Sequence, residues 1–266
     1  MLRKRLVVLG AIAALPAFAQ LSSAPSHIEK IAHRQHGPIR ELLDHGDGKV
    51  TSVNWSGYAV TGSDFTAAKG TWIVPAVTCS SGDQYAGFYV GLDGYSSSTV
   101  EQTGTESDCD GGTPSYYAWY EFYPSTSVEI TSLTIAPGDR MLAKVVYSGS
   151  EFTIAIADLT TGKSYSKSAT VADAKRSSAE WIAEAPCCGG GGGILPLADF
   201  GTVLFGGDNT GITGTCSAED SSTKGAIGSF STIEEITMVT PSSGKEAIPS
   251  ALSGDGSSFS ITWAAQ

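Results

Sequence analysis

From Val53 onward the chain reads as a series of short, evenly punctuated strands. Runs rich in Val, Ile, Thr, Tyr and Phe are separated by Gly, Ser, Asp and Pro about every ten residues, a spacing that suits strands joined by turns. The runs include Asn54–Val60, Ala68–Val74, Tyr85–Leu92, Tyr116–Tyr123, Ser132–Ile135, Met141–Tyr147, Glu151–Asp158, Lys163–Ala169 and Ser257–Trp263. Pro137-Gly138-Asp139, Ser148-Gly149-Ser150 and Thr161-Gly162 are explicit turns. No long amphipathic helix interrupts them, so the expected fold is all-β. Roughly 215 residues of this kind suit one sandwich of two packed antiparallel sheets better than two domains.

The first 48 residues differ in kind. Residues 1–19 have the parts of a secretory signal peptide: basic Arg3, Lys4 and Arg5, the apolar run Leu6–Phe18, and small residues at Ala17 and Ala19. The apolar run is shorter than the roughly 20 residues of a membrane span, and no later run is long enough. The expected product is secreted, with no membrane partner and no lipid anchor. Residues 20–48 hold Lys30, Arg34 and Arg40 and all four histidines, His27, His33, His36 and His45. They read as polar and partly helical, a pro-segment or a disordered leader ahead of a domain over residues 49–266. Their histidines suit a pH sensor, or are incidental to a linker.

Beyond residue 46 the chain has ten Lys+Arg against 24 Asp+Glu, a formal net charge of −14. Such a surface does not suit nucleic acid. It suits work in acid, where carboxylates protonate and self-repulsion relaxes. No histidine follows His45. If the leader stays out of the site, Ser-His-Asp, Cys-His and histidine-zinc chemistry are all unavailable. Five cysteines, Cys79, Cys109, Cys187, Cys188 and Cys216, read as disulfides in an exported protein. The expected pairing is Cys79–Cys109, with Cys216 meeting Cys187 or Cys188. Cys187–Gly193 is a glycine-rich insert that suits a mobile loop beside a site.

Two stretches stand out for chemistry. In Ala179–Pro186, strand alternation puts Glu180, Ile182 and Glu184 on one face and Trp181 and Ala183 on the other. The plain reading is a solvated face kept soluble by its glutamates. In Ser115–Pro124, Tyr117, Trp119, Glu121 and Tyr123 share one face, while Tyr116, Ala118, Tyr120 and Phe122 share the other. One face is then core. The face with Glu121 is the candidate cleft, able to grip a peptide or a sugar; the competing reading is a core strand with Glu121 at its rim. Gln102, in Val100–Glu106, reads by spacing alone as part of a surface turn.

Six stretches in order resemble the glutamic peptidases, the eqolisin family of acid endopeptidases. They are Asn54-Trp-Ser-Gly-Tyr58, Gly62-Ser-Asp-Phe65, Val90-Gly-Leu-Asp-Gly94, Gln102-Thr-Gly104, Tyr117-Ala-Trp-Tyr-Glu-Phe-Tyr-Pro124 and Ala179-Glu-Trp-Ile-Ala-Glu184. Weaker likeness continues through Leu195–Phe200. The resemblance implies two curved, lectin-like (concanavalin-type) antiparallel sheets of about seven strands each, and hydrolysis insensitive to pepstatin. It implies a catalytic pair at Gln102 and Glu184, with Glu180 the second candidate for the glutamate. Asp93, Tyr89, Glu106, Trp119, Glu121 and Tyr123 fall at positions of the surrounding substrate site. Tyr89 stands where the family's fungal members carry tryptophan, and Tyr117 and Glu106 stand where they carry aspartate. These departures leave the pair intact and bear on subsite preference.

The implied chemistry has a physical basis. A glutamate carboxyl can take a proton from water and return it to a leaving amine. A glutamine amide is a fixed neutral donor for a developing oxyanion. Neither needs a cofactor. Expected partners are protein or peptide substrates, and the chain's own pro-segment as a candidate inhibitor; a monomer is expected. Basic Ile28–Leu43 would cover the acidic cleft at neutral pH and leave in acid. Two other classes compete. A secreted glycoside hydrolase would use Glu121 and Glu184 as its carboxyl pair, although the Glu-x-Asp-x-x-Glu strand motif is absent. A non-catalytic lectin-like module would explain the fold and the aromatics, but not the Gln102 and Glu184 motifs.

Overall fold

The computed structural model describes residues 34–188, 193–242 and 244–264. The signal-peptide reading of residues 1–19, the leader up to residue 33 and glycines 189–192 of the insert lie outside them. Among the described residues, nearly every element is a strand. The exceptions are a one-turn helix, Gly207–Thr210, and a 3-10 turn, Ile227–Ser229. No helix there is long and apolar enough to cross a membrane.

An 18-stranded ladder contains all but two of the strands. Its front half runs, neighbour to neighbour, Val128–Thr134, Thr113–Tyr123, Val100–Asp110, Gly87–Leu92, Ser178–Glu184, Trp55–Thr61 and Ile233–Val239. The bulged pairing of Ile233–Val239 with Lys245–Pro249 turns the ladder back. The rear half continues through Ser258–Trp263, Thr202–Gly206, Ala67–Ile73, Arg140–Ser148, Glu151–Asp158 and Lys163–Ala169. Pairing is antiparallel throughout, save Lys49–Ser52 beside Ile233–Val239. The ladder nearly closes, with Tyr165 of the last strand stacked on Tyr120 at a 5.7 Å centroid distance.

The two halves are joined through a core with both walls apolar. Phe88, Val90, Leu92, Ala118 and Trp181 from the front meet Trp72, Met141, Val145, Ile154, Phe205 and Phe259 from the rear. Two tryptophans also hydrogen-bond across it. Trp181 Nε1 donates to Lys69 O at 2.9 Å, and Trp72 Nε1 donates to Thr105 Oγ1 at 2.9 Å. A buried indole N–H left without such a partner is costly, so these contacts fix the halves in one register.

Four expectations change. Val100–Asp110 is an 11-residue strand, buried along all but its last residue, rather than a turn around Gln102. Every residue of Ser178–Glu184 is buried, so Glu180 and Glu184 do not form a solvated face. Residues 34–48 are extended rather than helical. Gly37 and Pro38 disfavour a helix, and Arg34–Gln35 instead adds to the edge at Cys187–Cys188. Cys79–Cys109 forms as expected. Cys216 joins no second bridge. It lies beside the strand pairing with Ala67–Lys69, fully buried, where desolvation pushes its thiol up to about 12.

Candidate active site

The outer face of the front half is built in rows, because paired residues of neighbouring antiparallel strands share a face. One row runs Glu180, Gly91, Gln102, Glu121. A second runs Ile182, Tyr89, Gly104, Trp119, and a third Glu184, Gly87, Glu106, Tyr117. The middle row, with Trp55, Val50 and Ile236, forms a separate apolar cluster between the two polar rows. Glycines open the space between them. A Cβ on Gly91 would lie 2.5 Å from Glu180 Oε1, and one on Gly87 would lie 2.5 Å from Glu106 Oε1.

Residues 34–40 lie across this face. The open hollows of about 360 to 450 Å³ are therefore elsewhere on the surface. His36 occupies the centre. Its backbone N–H donates to Glu121 Oε2 at 2.9 Å, and its backbone carbonyl accepts a short hydrogen bond from the Gln102 amide. The same amide lies 3.3 Å from Glu121 Oε2. The imidazole stacks flat on Trp119, with centroids 3.8 Å apart, and meets Tyr89 edge-on at 6.5 Å. Nδ1 is 3.1 Å from Glu184 Oε2, and Nε2 is 3.2 Å from Glu106 Oε1. In the full chain a histidine of residues 20–48 therefore lies in the site, so the condition on which Ser-His-Asp, Cys-His and histidine-zinc chemistry were set aside does not hold there. The ring meets carboxyl groups and aromatic faces, with no serine or cysteine among its partners in the described residues.

Glu184 is positioned from its other side. Its Oε1 accepts from Asn54 Nδ2 and Trp55 Nε1, each at 3.3 Å. Asn54 also receives the Arg40 backbone N–H at 2.8 Å, tying the leader to the same corner. Burial, reinforced by Glu121, raises the Glu184 carboxyl well above the ordinary range. Burial does the same for Glu121, Glu106 and Glu180. The Tyr89 phenol also rises well above its usual value, through burial and the charges of Glu184, Glu180 and Glu121. His36 moves the opposite way, to about 3, because its buried ring would have to charge beside Arg34. His36 Nδ1 is thus hydrogen-bonded to Glu184, while its Nε2 approaches Glu106 without a hydrogen bond.

The structure brings together Gln102, Glu106, Glu121, Glu184, Tyr89 and Trp119. Tyr123 lies at the edge, its ring 3.4 Å from a Cβ built on Gly37. Glu180 sits behind Gly91, fully buried, with neither oxygen hydrogen-bonded. Asp93 does not join them. It is spent on the loop at 175–177, accepting from the backbone N–H groups of Lys175, Arg176 and Ser177 at 2.7 to 2.9 Å. The sequence alone assigned no role to Asn54, Trp55, Gly87 or Gly91, and His36 stood only among the leader's histidines as a candidate pH sensor. Asn54-Trp-Ser-Gly-Tyr58 carried the signal for the first two, as a motif without an assigned task.

The chain is similar to known proteins in sequence and to solved structures in fold. Aspergillopepsin-2 of Aspergillus niger is 34% identical over 178 residues, 58% of this chain and 62% of that protein. Scytalidopepsin B of Scytalidium lignicola is 35% identical over 134 residues, 49% of each. The chain thus matches 49% to 62% of the length of these curated relatives. The structure of scytalido-glutamic peptidase with a transition state analog inhibitor superposes with a TM-score of 0.67 at 26% identity, covering 80% of this chain and 98% of that one. A model of the Peptidase A4 family matches residues 53–248, which include every strand of the face described above except the leader's, and the chain belongs to that family.

Proposed function

We propose that this chain is a secreted acid endopeptidase in which Gln102 and Glu184 act together on a water molecule and a peptide bond. The observation that carries this reading is the backbone of His36, whose carbonyl, in the peptide bond to Gly37, accepts from the Gln102 amide while its N–H, in the preceding peptide bond, is held by Glu121. A substrate carbonyl in that place meets a fixed donor whose hydrogen bond strengthens as the oxygen becomes anionic. Glu184, oriented by Asn54 and Trp55, takes the proton of the attacking water and gives it to the leaving nitrogen. Acid favours this site. At neutral pH Glu184, Glu121 and Glu106 would together place up to three negative charges in one small space.

In this reading the two halves of the ladder are the two lectin-like sheets, of about seven strands each, and the working enzyme is a pepstatin-insensitive monomer. Residues 20–48 are a pro-segment whose residues 34–40 block the cleft until acid releases them. Support comes from the position of those residues and from His36. Its pKa in the docked state lies far below its usual value, so docking is at full strength above pH about 6.5 and weakens as pH falls toward 3. A glycoside hydrolase or a binding module finds no comparable support.

The test is cleavage of a denatured protein between pH 2 and 7 with pepstatin present. Wild type should cleave only in acid. Glu184→Gln should lose about 10³-fold or more of kcat, and Gln102→Ala about 10²- to 10³-fold. Full activity in Glu184→Gln would move the acid-base role to Glu180 or Glu121. No cleavage by wild type with its leader removed would overturn the peptidase reading.

A further inference from the structure

The strand Gly87–Leu92 lies between those of Glu184 and Gln102. Its outer face carries Gly87, Tyr89 and Gly91. Gly91 pairs with Gln102 on one side, and Gly87 pairs with Glu184 on the other. Tyr89 stands two residues from each glycine, a diagonal separation of about 7–8 Å that an aromatic side chain spans. It is the side chain that this strand places between Gln102 and Glu184. The ring is 0% exposed and held edge-on by Trp55, at a centroid distance of 6.1 Å, and by Trp119 at 5.8 Å. Its hydroxyl hydrogen-bonds to nothing among the described residues. The Trp119 indole N–H is also unspent, but that ring lies flat against His36, so its N–H points along the sheet and not at the docked peptide. The Gln102 amide faces Glu121 Oε2 as well as the His36 carbonyl, so it has one hydrogen for each.

Resting on the peptidase reading, we infer that the Tyr89 hydroxyl is a further catalytic group, which gives the oxyanion a second hydrogen bond beside that of Gln102. Glu184 takes a proton from water while the water oxygen bonds the carbonyl carbon and the C=O electron pair moves to its oxygen. That oxygen, now negative, accepts from the Gln102 amide and from the Tyr89 hydroxyl, and both donors keep their protons. The pair then returns, the C–N bond breaks, and the proton on Glu184 passes to the leaving nitrogen. The docked leader presents the planar ground state. Its His36 carbonyl takes the Gln102 hydrogen bond and none from Tyr89. A donor that engages only the displaced oxygen stabilises the transition state and not the bound substrate. Burial and the neighbouring carboxylates keep the phenol protonated through the acid range. Phenylalanine would fill the same space without sealing a hydroxyl away from any partner, which is costly in a fold. Packing alone therefore gives no reason for the hydroxyl.

The experiment measures Tyr89→Phe against wild type, each as the full chain brought to acid and given one peptide substrate. The kcat, referred to folded protein by circular dichroism, should fall about 100-fold. KM should stay within about twofold, because the lost contact belongs to the transition state. The melting temperature of the full chain at neutral pH should equal that of wild type or exceed it, because an unpaired buried hydroxyl has been removed. A kcat within a few fold of wild type overturns the inference. A raised KM with kcat unchanged would make the hydroxyl a substrate-binding group, and a lower melting temperature with kcat unchanged would make it a packing group; each also overturns it. All of these results leave the peptidase reading intact. If wild type cleaves neither the peptide nor denatured protein in acid, both fall.

Discussion

Glycines decide how close the strands and carboxyl groups of the site can come, and they divide into two kinds. At Gly104, opposite Tyr89 in the ladder, an added Cβ would lie 2.2 Å from the Phe88 carbonyl oxygen and 2.6 Å from Tyr89 Cβ. Backbone cannot step aside there, so Gly104→Ala should destabilise the domain by about 1–3 kcal/mol. Thermal unfolding should then begin several degrees lower, at about 2–4 °C per kcal/mol for a domain of this size. Gly91 is different. Its nearest neighbour is the end of the flexible Glu180 side chain, with Gln102 Cβ at 3.3 Å. Gly91→Ala should keep the fold while displacing Gln102, costing about 10- to 100-fold in kcat/KM. A melting temperature that falls as far as that of Gly104→Ala would show that Gly91 serves packing instead. Gln102-Thr-Gly104 is legible in the sequence only as a short motif. The reason for its glycine is a neighbouring strand whose Phe88 and Tyr89 lie 16 and 15 residues upstream, which no local pattern reveals.

At the scale of elements, the leader strand and the disulfide-pinned hairpin carry separate tasks. His36 docks as a neutral ring between Glu184 and Glu106, with its pKa lowered to about 3 by burial. Docking is thus strongest above the free histidine's pKa and is lost as pH falls through the docked one. His36→Phe retains an aromatic ring for Trp119 and removes the titration. The full chain carrying it should stay latent at a pH at least one unit lower than wild type, followed by peptide cleavage after stepwise acidification. An unchanged midpoint would assign the trigger to other groups. The Cys79–Cys109 bridge closes a loop with a sequence separation of 30. Replacing both cysteines by serine should cost about 3–4 kcal/mol by the chain-entropy relation, measured by denaturant unfolding.

For the whole molecule, the dominant electrostatic fact is a set of buried glutamates. Glu101, Glu106, Glu121, Glu180 and Glu184 are all 0% exposed, and burial raises each of them, Glu101 to about 9. A carboxyl whose folded-state pKa is raised stabilises the fold below its unfolded value near 4.5, and that stability is lost as pH rises through the folded value. His36 has the opposite sign, but it is one group against five. The melting temperature should therefore be higher at pH 4 than at pH 8. A flat or rising profile would contradict the burial of these side chains in the folded state. The acidic composition pointed the same way, but composition does not distinguish carboxyls that face water from those sealed under a strand.

Local pattern alone determined the all-β class, most strand positions, the two-faced character of Ser178–Glu184 and Thr113–Tyr123, and the Cys79–Cys109 pairing as an expectation. These follow from alternation and turn chemistry, which act over a few residues. Only the tertiary structure decided that Val100–Asp110 is a buried strand. Its polar cleft face of Gln102, Glu106 and Asp108 becomes tolerable once Glu121, His36 and Arg34 are brought against it. It also decided that Asp93 clamps a loop, that Cys216 stays a thiol, and that a histidine outside the family match fills the cleft. Each of these depends on partners far apart in sequence, up to 148 residues for His36 and Glu184, so only the register of the folded strands brings them together.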